Sequence, residues 1–272
     1  MIRNRIEGAL KIACGTAVVL AGMLALAAQD APQAAPAAAG AAPAKPKIYF
    51  SSTSLSLLLT GGNNQNLSYS VDTDQNLTLA KNIFNIKGSA IYARSNHQPR
   101  SGLYYAHVKY DRRLSARAYL LGLTRFERNK SAGYLSRFSV TTGGGFTWIK
   151  KDNKVDVSSE VSLGWSGESN IIPPSRPGSE AMTRLTNFVS SLMSHKLIYN
   201  ISPAAQIILQ GTVFNNLKDL KGFRVNSYSA LSATISPSLA LKTSFQLIYD
   251  NRPVAGYRPT DIYFMSSFVV KI

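Results

Sequence analysis

Three histidines, one cysteine and two glycine clusters are the side chains of this 272-residue chain whose types first invite a chemical reading. His97 lies between Arg94 and Arg100, His107 alternates with Lys109, and His195 follows Ser194. Nucleophilic catalysis needs a hydroxyl within hydrogen-bond reach of a base that a third group orients. Adjacent residues of a strand point to opposite faces, so Ser194 and His195 cannot form that pair if their segment is extended. Metal chemistry fares no better, since there is neither a His pair at ligand spacing nor an acidic calcium loop. Gly61-Gly62-Asn63-Asn64 is not followed by a helical pattern that could lend an anion-binding terminus, which makes it a turn. Gly143-Gly144-Gly145 inside a long apolar stretch marks a bend or a close approach of two strands. No catalytic, cofactor-binding or metal-binding residue is assigned, and no cofactor is expected.

The elements that would have to position any site are strands. Leu67, Tyr69, Val71, Leu77 and Leu79 oppose Ser68, Ser70, Asp72, Asp74 and Thr78, and Val155, Val157, Val161, Leu163 and Trp165 oppose Asp156, Ser158, Glu160 and Ser162. The same alternation recurs across twelve segments, near 48–60, 66–80, 83–94, 102–110, 114–126, 134–149, 155–168, 184–199, 204–214, 224–235, 239–250 and 261–272. Most are about twice the common globular strand length, which suits tilted strands crossing a bilayer. Tight turns at 111–113, 151–153, 201–203 and 236–238 alternate with longer polar links at 95–101, 127–133, 169–183, 215–223 and 251–260. An even strand count with short turns on one side and longer loops on the other predicts an all-β, antiparallel transmembrane barrel of about 12 strands over residues 48–272. Tyr104 and Tyr110, and Tyr134 and Trp148, bracket apolar faces as interfacial rings would.

Ahead of the barrel, Arg3, Arg5 and Lys11 precede an uncharged run from Ile12 to Ala27 that ends in small residues. This reads as a cleaved signal peptide over 1–27, too short to be a membrane anchor. Cys14 leaves with it, so neither disulfides nor thiol chemistry remains. Residues 28–47 form an Ala/Pro-rich leader expected to be disordered. The formal charge of +16 becomes +14 once Arg3, Arg5, Lys11 and Glu7 are removed from the 30 basic and 14 acidic side chains. That excess calls for an anionic partner. An exported chain without a basic helix or RNA-binding signature points to lipid phosphate and not to nucleic acid.

The last segment carries Ile262, Phe264, Phe268, Val270 and Ile272 on one face. An apolar strand running to the chain end must close on another strand or aggregate. Phe264, Phe268, Val270 and Ile272 resemble the terminal strand that the barrel-assembly machinery reads in outer-membrane proteins, although such strands commonly end in Phe. Further, Ser54-Leu-Ser-Leu-Leu-Leu-Thr-Gly-Gly-Asn-Asn64, Val108-Lys-Tyr-Asp-Arg-Arg-Leu-Ser115, the Gly143-Gly-Gly145 strand and Thr260-Asp261 resemble domain-of-unknown-function family 481, which includes the YdiY-like salt-induced outer-membrane proteins. The resemblance covers roughly residues 50 to 272, implies an outer-membrane barrel and carries over no catalytic residue.

Two sets of charged residues follow from this strand map. Asp72, Asp74, Lys87, Lys109, Arg117, Arg137, Asp156, Glu160 and Lys242 face the interior, because charges facing lipid are costly. They line either a narrow pore or a closed ion-paired network. Arg125, Arg128, Lys130, Arg176, Arg184, Arg252 and Arg258 form a basic collar on the loop side, suited to the phosphates of lipopolysaccharide. The functional expectation is a non-enzymatic barrel of the bacterial outer membrane with a structural, stress-adaptation or small-solute role. A lipid-modifying barrel enzyme (esterase or deacylase) and a soluble exported β-sandwich are the alternatives.

Overall fold

The computed structural model describes residues 48–60, 66–95, 98–151, 154–172 and 182–272. Its ordered elements are a single 3-10 turn (Lys130–Ala132) and twelve strands: β1 (Tyr49–Thr60), β2 (Asn66–Leu79), β3 (Asn82–Ser95), β4 (Gln98–Arg113), β5 (Ala118–Asn129), β6 (Tyr134–Lys151), β7 (Val155–Ile172), β8 (Met182–Ser202), β9 (Ala205–Asn216), β10 (Phe223–Ser236), β11 (Leu239–Asp250) and β12 (Thr260–Lys271). Each pairs antiparallel with its sequence neighbours, and β12 returns to β1 to close a barrel. The even count places both barrel termini at one end, which also carries the turns between β2 and β3 and between β8 and β9. The signal and leader segments lie outside the described residues.

Period-two alternation sorts side chains between two environments. Leu57, Val71, Ile86, Val108, Leu120, Val140, Leu163 and Phe264 point outward and are exposed, whereas Ser54, Ser70, Ser166, Ser190 and Ser244 point inward and are buried. This is the reverse of a soluble sandwich. A large apolar exterior is stable only against lipid, so the strands span a membrane. Rings gather at two levels of that exterior. Phe84 packs on Tyr110 and Phe146 on Trp148 near the terminal end, while Tyr69 stacks on Tyr92 and Phe138 meets Trp165 toward the other. From Phe84 to Tyr92 along β3, a rise of about 3.3 Å per residue at roughly 45° tilt separates the levels by about 20 Å, near the height of a barrel's lipid-facing band.

Three local expectations change. β4 runs on through Asp111, Arg112 and Arg113, so the tight turn sits at 114–117, where the Ser115 hydroxyl accepts from the backbone N–H groups of Arg117 (3.2 Å) and Ala118 (2.9 Å). That side-chain-to-backbone bonding is what sets the turn. Of the link expected over 95–101, residue 95 belongs to β3 and residues 98–101 to β4, and 96–97 lie outside the described residues. Tyr134 is not an interfacial ring: the pairing shifts between Tyr134 and Ser136, turning the ring inward, where it is 3% exposed. Gly143 marks a close approach, since a Cβ there would lie 2.0 Å from the Val161 carbonyl oxygen, and Gly145 makes room for the Tyr119 ring.

Candidate functional site: the lumen and its rim

The inward faces of the strands meet in three storeys. At the terminal end, Lys87 pairs with Asp74 at 3.0 Å and Lys109 bridges Asp111 (3.0 Å) and Glu160 (2.5 Å). Glu160 stands on β7 and Lys109 on β4, so this bond crosses the interior. Tyr119 donates to the same Glu160 at 2.7 Å. Asn85 donates to Asp74 at 2.6 Å and its oxygen meets His107 Nε2 at 2.7 Å, while the Tyr105 hydroxyl meets Nδ1 at 2.6 Å. His107 is thereby a hydrogen-bonded wall residue. Lys242 donates to Ser54 and Ser89 to Asp72.

The middle storey is apolar. Leu121 and Leu123 from β5, Phe188 and Leu192 from β8 and Phe214 from β9 form one buried cluster, with Tyr119 packed on it. Interior strand positions of a membrane barrel are ordinarily polar, so five large apolar residues meeting there form an unusual apolar cluster on the inward side.

Above this cluster a second ionic storey spans the barrel. Arg137 on β6 pairs with Glu168 at 3.5 Å and reaches Asp250 on β11 at 3.1 Å. Arg224 on β10 also pairs with Glu168, and its guanidinium lies over the Phe214 ring at 4.1 Å. Arg137 lies over Tyr134 at 3.6 Å. The inward turn of Tyr134 thus supplies a face for a cation that would otherwise be poorly covered. Arg125 pairs with Glu127 at 2.7 Å and lies over Tyr105 at 5.5 Å.

Two sequence assignments are corrected by this arrangement. Arg117 is not a lumen residue, because the shifted turn carries it outside the strand, where it is exposed. Arg125 is not part of the rim, because its odd parity on β5 shares the inward face with Leu121, Leu123 and Glu127. Asp74, Lys87, Lys109, Arg137, Glu160 and Lys242 have the interior bonds given above. Asp72 accepts from Ser89, and Asp156 lies opposite Lys150 and Ile198 in the ladder. At the rim Arg128, Lys130, Arg184 and Arg258 are exposed, Arg252 is exposed and paired with Asp219, and Arg176 lies outside the described residues. His97 lies there too.

Glu127, Glu168, Arg224 and Asp250 were not singled out as interior residues from the sequence. Alternation alone could have put Glu127 on the face of Leu123 and Glu168 on that of Ser162 and Ser166; their partners could not be foreseen, because cross-lumen bonds depend on closure. The lipid-facing side holds another unforeseen contact. Ser194 and His195 do face opposite ways, but His195 Nδ1 meets Ser159 Oγ of the paired strand at 2.7 Å, and Trp148 Nε1 donates to that hydroxyl at 2.9 Å. Among the described residues no carboxylate bonds to His195, and none forms a metal-holding cluster.

A family described as protein of unknown function, DUF481, matches residues 53–272. No curated protein matches the chain. Among solved structures, the NanC porin aligns at a TM-score of 0.45 and 8% identity over 82% of this chain and 97% of its own. The translocator domain of the autotransporter NalP from Neisseria meningitidis aligns at 0.44 and 8% over 84% and 89%. The channel DcaP of Acinetobacter baumannii aligns at 0.38 and 9% over 82% and 94%.

Proposed function

From a chain that belongs to the DUF481 family of unknown function, we propose a non-enzymatic barrel of the bacterial outer membrane, closed by its own side chains and serving the envelope as a structural element. The apolar storey of Leu121, Leu123, Phe188, Leu192 and Phe214 carries this reading. An open pore of fixed width would keep a continuous polar wall for water and solute. Here an apolar layer separates two ionic storeys whose bonds already cross the interior. Reconstitution in planar bilayers tests it: the expected record is silent, and steady single-channel conductance would replace this reading with small-solute passage. Membrane placement has its own test, because a barrel resists carbonate extraction and migrates differently on gels before and after boiling. The exposed basic rim supports contact with lipopolysaccharide phosphates on the loop side.

The Ser159–His195 contact favours a second reading, a lipid esterase, since hydroxyl and imidazole lie together on the lipid-facing side. Without a carboxylate to orient the ring, its simpler role is to satisfy the Trp148 N–H at the interface. Release of fatty acid from phospholipid vesicles that is abolished by Ser159→Ala would establish the esterase.

A further inference from the structure

Side chains do not cover the lipid-facing wall evenly. Between β4 and β7 it holds a hollow of about 380 Å³, bordered by Val108 and Tyr110 on β4, Gly122 and Thr124 on β5, Thr142 on β6 and Leu163 on β7. Cross-strand register explains it. Tyr110 stands opposite Gly122, Gly122 opposite Thr142 and Thr142 opposite Leu163, so two large side chains flank a glycine and a threonine in one row. A Cβ on Gly122 would meet nothing within 4 Å. The next row toward the terminal end is thin as well, since Leu120 stands opposite Gly144. Thr142 donates its hydroxyl to the Leu121 carbonyl at 3.1 Å, so the wall itself satisfies the polar atom of that side chain. A hollow in hydrocarbon forfeits dispersion contacts unless something fills it.

Beside the hollow, the terminal end of the barrel is basic. Arg112 follows Tyr110 on the outward face of β4, about 7 Å further along at roughly 3.3 Å per residue. The Asn82 side-chain oxygen accepts from the Tyr110 hydroxyl at 2.8 Å and from Arg112 Nη1 at 3.3 Å, which holds the guanidinium at the level of the interfacial ring. Its other N–H groups have no partner among the described residues, and a guanidinium can offer two of them at once to one phosphate. The Arg113 N–H donates to the Lys81 carbonyl at 2.8 Å, and the Thr147 N–H donates to the Arg117 carbonyl at 2.8 Å. These bonds gather Lys81, Arg112, Arg113 and Arg117 at the foot of β3 to β6. All four are exposed, and none forms an ion pair among the described residues. Asp111, the carboxylate beside them, faces inward and is taken by Lys109 at 3.0 Å. At the same end the turns at 201–204 and 236–238 carry no charged residue, so the basic patch is not a general property of this rim.

We propose that β4, β5 and β6 form a binding site for one anionic glycerophospholipid of the leaflet at the terminal end, its phosphate held by Arg112 and Arg117 and one acyl chain laid in the hollow beside Gly122. The two halves of the site set the chemistry of the ligand together. A free phosphate or an acidic peptide would satisfy the arginines and leave the hollow empty, and a bare acyl chain would leave the cations without an anion. A phospholipid joins anion to chain across the interface that Tyr110 marks. A headgroup of net negative charge is selected, because four cations stand there with no free carboxylate to take the amine of a zwitterionic one. The site rests on the membrane-spanning reading of the barrel and lies at the end opposite the loop-side basic rim.

The test titrates the full chain, delipidated in a non-ionic detergent, with phosphatidylglycerol or phosphatidylcholine and counts bound lipid by native mass spectrometry. One tightly held phosphatidylglycerol per chain is expected, with phosphatidylcholine weaker by about tenfold. Arg112→Gln/Arg117→Gln should weaken phosphatidylglycerol by about tenfold or more, since each basic side chain at a membrane surface contributes about fivefold. Gly122→Leu fills the hollow without altering charge and should weaken both lipids, and Thr124→Leu does the same from the neighbouring position; unchanged heat-modifiable mobility shows that each variant is folded. Inorganic phosphate and glycerol phosphate should not compete. Equal affinity for the two lipids, unchanged binding in the arginine variant or unchanged binding in both filled variants would overturn the proposal. Competition by inorganic phosphate would reduce the site to one for a free anion, and dimers that vanish in Gly122→Leu would give the hollow to a second copy; either result also overturns it. Conductance plays no part in these readouts. A conducting pore would defeat the closed-barrel reading and leave this site untouched, whereas loss of the lipid preference would leave the barrel in its membrane.

Discussion

Replacing Glu168 by Gln removes the acceptor shared by Arg137 and Arg224 in the upper ionic storey. The side chains of Glu168 and Arg137 are each 11% exposed and that of Arg224 16%. Asp250 remains as the one carboxylate bonded to Arg137, and Arg224 retains only the Phe214 face. Removing one member of a buried ion pair costs about 3–5 kcal/mol, chiefly because a charge is left uncompensated. Here the upper part of that range applies, since Arg224 loses the carboxylate it is bonded to and is left beside Arg137, which shares Glu168 with it. Urea unfolding followed by loss of heat-modifiable gel mobility gives the free energy. The double variant Glu168→Gln/Arg224→Met should recover most of the loss, because the stranded charge is removed with its partner. Added salt should matter little, since buried pairs are weakly screened. A Glu168→Gln barrel within about 1 kcal/mol of the parent would refute the reasoning, and so would purely additive losses in the double variant.

Truncating the apolar cluster with Phe188→Ala and Leu192→Ala should cost about 2–5 kcal/mol per site and, on the closed-barrel proposal, convert a silent bilayer record into a conducting one; unchanged silence in a folded variant would show that the cluster does not seal the lumen. Gly143→Ala drives a methyl group into the Val161 carbonyl, and a loss of at least about 1–3 kcal/mol is expected from overpacking, whereas a neutral result would deny the close approach of β6 and β7. Deleting Phe268–Ile272 removes the chain end that pairs with Ser51–Leu55 of β1; immunoblots should show periplasmic degradation, with Ile272→Phe tolerated, and normal assembly of the truncated chain would dismiss this end as an assembly signal. Arg128→Gln/Lys130→Gln should reduce lipopolysaccharide co-purification without changing heat-modifiability, and equal retention at low and moderate salt would remove the phosphate-binding role.

Strand number and the lipid-facing row were legible in the sequence because they depend on a local rule: successive residues alternate faces, and an apolar face sustained over the length of a strand has only one stable environment. Leu57, Val71, Leu163 and Phe264 declare that face by type alone. The lumen was legible only in part. Asp74, Lys87, Lys109 and Glu160 could be assigned inward because lipid would not tolerate them, but an inward Leu121 or Phe188 looks in sequence like one more apolar residue. Arg125 was misplaced because its nearness to a loop suggested the rim, while its parity put it beside Leu123. Arg117 was misplaced because Ser115 captures two backbone N–H groups and moves the turn by several residues. Tertiary structure alone decided the cross-lumen bonds from Lys109 to Glu160 and from Arg137 to Asp250, the Ser159–His195 contact and the pairing of β12 with β1. Each joins residues far apart in the chain, and their meeting depends on register and closure, which are properties of the whole ring of strands and of no single segment.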